Sequence, residues 1–168
     1  EEEQIRDHGF AASTPAADAD HVYVFFGKTG VIAFDHDGRQ VWQADVGSRT
    51  DRWGSSASPV LYKDLVFINA SVEKQTLFAL DRRTGKEVWH ADGIVESWNT
   101  PVLVTSKSGD SELVVATKGS VRSYQPATGK LLWTCQTDIG WYMVPSVVAH
   151  DGIVYCLGGR SGITKLTI

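Results

Sequence analysis

Ala79-Leu-Asp-Arg-Arg-Thr-Gly-Lys-Glu-Val-Trp89 is the stretch that decides the fold. An apolar pair runs into Asp81, a polar Arg-Arg-Thr-Gly reversal follows, and Glu-Val-Trp resumes an extended pattern. Asp and Gly suit tight turns, because Asp can bond its own backbone and Gly tolerates positive φ. The pattern recurs as Ala33-Phe-Asp-His-Asp-Gly-Arg-Gln-Val-Trp42 and as Ser123-Tyr-Gln-Pro-Ala-Thr-Gly-Lys-Leu-Leu-Trp133. The tryptophans Trp42, Trp89 and Trp133 lie 47 and 44 residues apart, and each follows a glycine by four residues: Gly38, Gly85 and Gly129. A second marker is a step into proline at Thr14-Pro15, Ser58-Pro59, Thr100-Pro101 and Val144-Pro145, at intervals of 44, 42 and 44 residues. Two independent markers hold nearly one period, which is the signature of a repeat architecture.

Each unit reads as four short strands. The first follows the proline, as in Pro59–Tyr62, Pro101–Val104 and Ser146–Ala149. The second is Val22–Phe26, Leu65–Ile68, Leu113–Ala116 and Ile153–Cys156, and the third is Val31–Phe34, Thr76–Leu80, Val121–Tyr124 and Ile163–Leu166. The fourth carries the tryptophan, at Gln40–Trp42, Glu87–Trp89 and Leu131–Trp133. These runs are rich in β-branched and aromatic residues and are separated by Gly, Asp and Ser. No segment sustains a helical period. Four-strand units of about 40–45 residues are propeller blades. The expected fold is an all-β propeller of about four blades of four antiparallel strands, a partial ring whose fourth blade lacks its tryptophan strand. The blades fall at 12–47, 55–93, 98–138 and 142–168, after an N-terminal extension at 1–11.

Composition narrows the function. The 168 residues carry 16 Lys plus Arg against 20 Asp plus Glu, a formal net charge of -4. Phosphate binding rewards clustered positive charge, so nucleic acid is not an expected partner. No apolar run reaches the length of a membrane span. The chain opens on Glu1-Glu2-Glu3 without a starting Met or a signal peptide, and reads as a processed or excised piece. Cys135 and Cys156 are too few for a disulfide framework or a four-cysteine zinc site, and they read as two buried thiols. Gly27-Lys28-Thr29-Gly30 lacks the upstream glycine of a phosphate loop and reads as a turn between second and third strands. Gly158-Gly-Arg-Ser-Gly162 takes the matching place in the fourth blade. Asp35-His-Asp-Gly38 has no glutamate at the far end of a calcium loop. His8, His21, His36, His90 and His150 show no metal-ligand spacing, so no metal site is expected.

The unit Ala-Leu-Asp-x-x-Thr-Gly-Lys-x-x-Trp of residues 79–89 resembles the pyrroloquinoline-quinone-type, or quinoprotein-like, propeller repeat. The third blade keeps Thr128-Gly129-Lys130 and Trp133 but has Gln125 in place of the aspartate, and the first is one residue shorter in the turn. Ser13-Thr-Pro, Gly27-Lys-Thr-Gly30 and Trp53-Gly-Ser-Ser-Ala-Ser-Pro59 look like a bacterial, exported subgroup. The resemblance implies a periplasmic or secreted location and a ring of seven or eight blades. Four blades would then be a fragment of a longer protein, or half of a ring completed by a second copy. The same repeat serves quinone-dependent dehydrogenases, outer-membrane assembly scaffolds and sensor domains, so it does not by itself give a function.

The connectors from each tryptophan strand into the next blade hold the candidate ligand-binding residues: Arg49, Asp51, Arg52 and Trp53, then Glu96, Trp98 and Asn99, then Asp138, Trp141 and Tyr142. Aromatic faces beside a few polar groups suit flat ligands, sugars or peptides. In a quinone dehydrogenase the resemblance would require Glu, Asn and Asp ligands to calcium, an aspartate base and often adjacent cysteines. None of these is matched, so no catalytic residue is assigned and pyrroloquinoline quinone with calcium belongs only to a longer parent. The expected role is a non-catalytic segment that binds a ligand or protein, or acts as a scaffold, in an exported bacterial protein. The alternatives are a piece of a quinone-dependent dehydrogenase and a carbohydrate-binding propeller using Trp53, Trp98 and Trp141.

Overall fold

Residues 12–158 and 162–167 are described by a computed structural model; the extension expected at 1–11 and most of the Gly158–Gly162 turn lie outside them. The described residues form four antiparallel sheets, each built from consecutive strands. The first contains β1 (Ala16–Ala17), β2 (His21–Phe25), β3 (Val31–Asp35) and β4 (Gln40–Ala44). The second contains β5 (Val60–Tyr62), β6 (Leu65–Ala70), β7 (Thr76–Asp81) and β8 (Glu87–Asp92). The third contains β9 (Val102–Thr105), β10 (Ser111–Thr117), β11 (Ser120–Tyr124) and β12 (Leu131–Gln136). The fourth has three strands, β13 (Val148–His150), β14 (Ile153–Gly158) and β15 (Gly162–Thr167). Gly27–Thr29 forms a single 3-10 turn between β2 and β3.

Local chemistry explains the meander. Lys63 and Asp151 take φ of 51° and 49° in the two-residue reversals before β6 and β14, the left-handed geometry that matches strand twist. In the turn after β7, Asp81 Oδ1 accepts from the Thr84 backbone N–H at 2.8 Å and from the Thr84 hydroxyl at 2.8 Å. Gly85 then donates its N–H to the Asp81 carbonyl at 2.8 Å. Gln125 replaces the aspartate in the third sheet by accepting from the Thr128 hydroxyl. The pairing shifts by one residue at Ala33/Phe34, Ala79/Leu80 and Ser123/Tyr124, beside the tryptophan each time. A bulge adds twist and re-aims the neighbouring side chain.

The core lies between sheets. Tyr23, Phe25 and Trp42 pack against Val66, Ile68, Phe78 and Leu80 of the second sheet. Phe67, Leu77 and Trp89 meet Leu113, Val115 and Tyr124 of the third. Val104, Val114 and Val121 meet Met143 of the third connector and Val154 and Cys156 of the fourth sheet. Trp42 lies on the Gly85 turn, where an added Cβ would come within 2.5 Å of the indole, and its Nε1 donates to the Arg82 carbonyl at 2.9 Å. Trp89 repeats this on Gly129, at 2.6 Å, and donates to the Pro126 carbonyl at 2.9 Å. Asp18, in the first sheet, reaches Arg82 at 3.1 Å. Burial pushes the Asp18 carboxyl up, but the N–H groups of Asp20 and His21, the Tyr23 hydroxyl and Arg82 together hold it below its ordinary value.

A hydrogen-bond ladder joins the strand entrances. The backbone N–H of Thr14 donates to the Ser58 hydroxyl at 2.9 Å, that of Ser58 to Thr100 Oγ1 at 2.9 Å, and that of Thr100 to the Ser146 hydroxyl at 3.0 Å. In every sheet the first strand begins two residues after this hydroxyl residue. This corrects the proline marker in the fourth unit. Ser146, and not Val144, occupies the place of Ser58 and Thr100, so Pro145 sits two residues out of register. The first strand accordingly starts at Val148 and not at Ser146. The hydroxyl, which accepts the inter-sheet bond, is what keeps the period at this step.

Candidate functional site

The first two connectors and the reversal between β6 and β7 enclose a cleft of about 210 Å³. Arg49, Thr50 and Asp51 line one wall, Ser71, Val72 and Gln75 the floor, and Val95, Glu96 and Trp98 the other wall. Thus four of the ten expected residues, Arg49, Asp51, Glu96 and Trp98, converge on one place. Arg49 is anchored by its own N–H and its Nε, which donate to the Glu73 carbonyl at 3.2 Å and 3.4 Å. Asp51 shapes the first connector by accepting the Trp53 N–H at 2.9 Å. The second connector is pinned at Val95, whose N–H donates to Thr117 Oγ1 at 2.8 Å while the same hydroxyl donates to the Val95 carbonyl at 2.8 Å. Glu96 then takes φ of 48° and meets Lys118 at 3.0 Å. A short parallel bridge, Ser97 with Met143, ties this connector to the third.

The three connector tryptophans do not play one part. Trp98 is 8% exposed and donates its Nε1 to the Gly54 carbonyl at 2.8 Å, while Trp53 and Trp141 are 47% and 55% exposed. Counted back from the ladder hydroxyls, Trp98 stands two residues before Thr100, whereas Trp53 and Trp141 each stand five residues before Ser58 and Ser146, so the covered indole and the two exposed ones occupy different places in the connector. The rings still form a run across the connectors. Trp98 meets Tyr142 edge-on at 5.0 Å, and Tyr142 meets Trp141 at 5.3 Å. Beside Gly54, the Arg52 guanidinium lies over the Trp53 ring at 4.9 Å. Arg52, Trp53, Tyr142 and Trp141 therefore extend the cleft as a rim. Asp138 is exposed and outside the cleft lining.

Asn99 goes elsewhere. It is 1% exposed, and its amide nitrogen lies 2.7 Å from the Ala116 carbonyl and 3.1 Å from the Met143 carbonyl. The Asn69 amide donates to the Ser97 hydroxyl at 2.8 Å and lies 2.9 Å from the Asn99 carbonyl. These two amides with Ser97 form a buried clasp that ties the second sheet, the third sheet and the third connector together. A buried polar group must find partners, and this one finds them in the Ala116 and Met143 carbonyls, which also accept from the Ser97 hydroxyl at 2.7 Å and from the Trp98 N–H at 2.8 Å. Sequence reasoning missed Asn69, Ser71 and Gln75; only the position of Gln75 in a tight reversal, at φ 60°, signals a special backbone.

Other chemistry is sparse. Cys135 and Cys156 are free, the first half-buried and the second buried. Burial, with Cys135 nearby, pushes the Cys156 thiol above its ordinary range. Among the described residues no group of three His, Cys, Asp or Glu could hold a metal ion. No helix among them is long and apolar enough to cross a membrane.

Known proteins with this chain's features are consistent in kind. The family described as outer membrane protein assembly factor BamB matches residues 4–99 and again 73–167. A curated relative of that name from Yersinia pestis is 26% identical over 129 residues, which cover 74% of this chain and 32% of the relative. The chain thus spans about a third of the length of the curated relative it matches. Among solved structures, BamB from Moraxella catarrhalis superposes with a TM-score of 0.74 at 16% identity, covering 93% of this chain and 46% of that one. The quinohemoprotein alcohol dehydrogenase from Comamonas testosteroni gives 0.64 at 18% identity, covering 87% of this chain and 28% of the other. At these identities the superpositions establish the propeller fold.

Proposed function

The chain belongs to the family described as outer membrane protein assembly factor BamB, and from that premise we propose that it is a protein-binding propeller segment of a cell-envelope assembly factor. It works outside the cytoplasm and its connector face is the docking surface. The observation that carries this reading is the cleft with its aromatic rim. Two connectors bring Arg49, Asp51, Glu96 and Trp98 together, and Trp53 and Trp141 stand exposed beside them. Exposed aromatic and arginine side chains on a rigid frame are the usual anchors of protein interfaces. The sheets supply the frame, and the connectors supply the chemistry.

Photo-crosslinking in the full-length protein tests this. A benzophenone side chain would be placed at Trp53 or Trp141 on the connector face, and at Val88, an exposed residue of β8. Products from the first two positions that contain an outer-membrane assembly component, with none from Val88, are expected. Products from Val88 alone, or from no position, would overturn the reading.

A further inference from the structure

The charges around the cleft are uneven. Glu96 is neutralised by Lys118 at 3.0 Å, and Asp51 is engaged by the N–H of Trp53. Arg49 and Arg52 are exposed, and among the described residues neither is in an ion pair. The lining itself holds Arg49 against Asp51 and Glu96; with Lys118 on Glu96 and Arg52 at the lip, the mouth carries three cations to two carboxylates in a chain with a formal net charge of -4. Arg49 is held through Nε by the Glu73 carbonyl, which fixes the guanidinium at the wall of the cleft. The Arg52 guanidinium lies over the Trp53 ring. Both are therefore restrained before any ligand arrives, which lowers the cost of ordering them. A planar guanidinium in such a setting suits a carboxylate, and an indole face suits the apolar residue next to it.

We propose that the cleft takes an acidic side chain of an extended peptide segment, paired to Arg49, with the neighbouring residues of that segment lying along Trp53 and Trp98. Arg52 adds charge at the lip. This rests on the protein-binding reading and names the chemistry of the partner. In an extended segment alternate side chains point the same way, so with an acidic residue in the cleft the residues two places away on either side face the rim. The acid pair supplies specificity and a salt-sensitive association rate, while the indoles supply buried area.

The test uses the full-length protein and three short fluorescent peptides of one apolar sequence, carrying Glu, Gln or Lys at the central position. Fluorescence anisotropy should give binding of the Glu peptide about tenfold tighter than the Gln peptide, with the gap narrowing in high salt. Arg49→Glu should abolish that preference and turn it toward the Lys peptide. Trp53→Ala should weaken the Glu and Gln peptides alike. An unchanged thermal midpoint certifies that each variant is folded. Equal binding of Glu and Gln peptides, no binding of any, or an undisturbed preference in Arg49→Glu would overturn the proposal. If crosslinks from Trp53 and Trp141 persist in that case, the connector face still docks protein and only the carboxylate chemistry fails.

Discussion

Trp89 and Trp133 stand at the same place in the repeat, yet they end in different surroundings. Trp89 is buried on the Gly129 turn of the next sheet and donates its N–H to the Pro126 carbonyl. Trp133 is half-buried against the third and fourth sheets and donates to Glu112 Oε2, at 2.7 Å, within its own sheet. Glu112 also accepts from the Ser123 hydroxyl at 2.6 Å. The second-to-third seam is therefore closed by a side chain locking onto the next sheet's turn. At the third-to-fourth seam the tryptophan is satisfied locally, and the connectors bridge the gap through the Ser97–Met143 pairing and the Asn99 amide. One residue type at one repeat position does two jobs, because its acceptor is set by the neighbouring sheet.

The sharpest break of this contrast is at the tryptophans. Trp89→Ala should cost about 3–5 kcal/mol, since it empties a buried site and orphans a backbone carbonyl. Trp133→Ala should cost about 1–2 kcal/mol, because less of the ring leaves water. Urea unfolding of both variants measures the difference, and equal losses would refute the two-seam description. Next come the glycines. Gly85→Ala meets the Trp42 ring at 2.5 Å and sits at φ 71°, so overpacking adds to backbone strain, for about 2–4 kcal/mol. Gly38→Ala has the same kind of φ, 82°, but nothing within 4 Å, and should lose only about 1 kcal/mol. If the two losses match, the indole contact contributes nothing.

Asn99→Ala tests the connector side of the third-to-fourth seam. It should lose about 1–3 kcal/mol by removing a buried amide that ties the third sheet to the third connector through the Ala116 and Met143 carbonyls, although each carbonyl keeps a second donor, the Ser97 hydroxyl and the Trp98 N–H. Its effect should add to that of Trp89→Ala, since the two act at different seams; a marked departure from additivity would show that the seams are coupled. The smallest effect belongs to Thr84→Ala. The Thr84 hydroxyl, followed by the backbone N–H groups of Thr84 and Arg83 and by the Arg83 charge, holds the Asp81 carboxyl below its ordinary value of 3.8 despite opposing burial. A folded value below the unfolded one stabilises the protein above the unfolded value and fades as pH falls through the folded one. The variant should therefore lose about 0.5–1 kcal/mol near neutral pH, and the gap from the wild type should shrink below about pH 4. A gap independent of pH would remove the aspartate from the explanation.

Much of the fold was legible because each blade is local. Asp81, Thr84, Gly85 and Trp89 fall within one reversal, and alternation along β6 and β7 marks the faces that pack. The middle strands were placed to within two residues at either end. The candidate site was only partly legible. Arg49, Asp51, Glu96 and Trp98 were named and do converge, but Asn99 looked like a rim residue and is a buried clasp. Proline misled at Val144-Pro145, because the residue that keeps register is the hydroxyl donor and acceptor next to it. Nothing in the spacing distinguishes a hydroxyl that bonds across sheets from one that faces water.

The repeat, the strand order within each blade and the four-residue interval from glycine to tryptophan can be read from the chain alone, because they depend on residues close along it. Which acceptor each indole finds, which of Trp53, Trp98 and Trp141 is covered, and that two connectors with the β6–β7 reversal enclose a cleft emerge only when the sheets pack. Those outcomes depend on how far apart neighbouring sheets are held. That distance is set by the Tyr, Phe, Val and Leu side chains packed between sheets, and no connector residue encodes it.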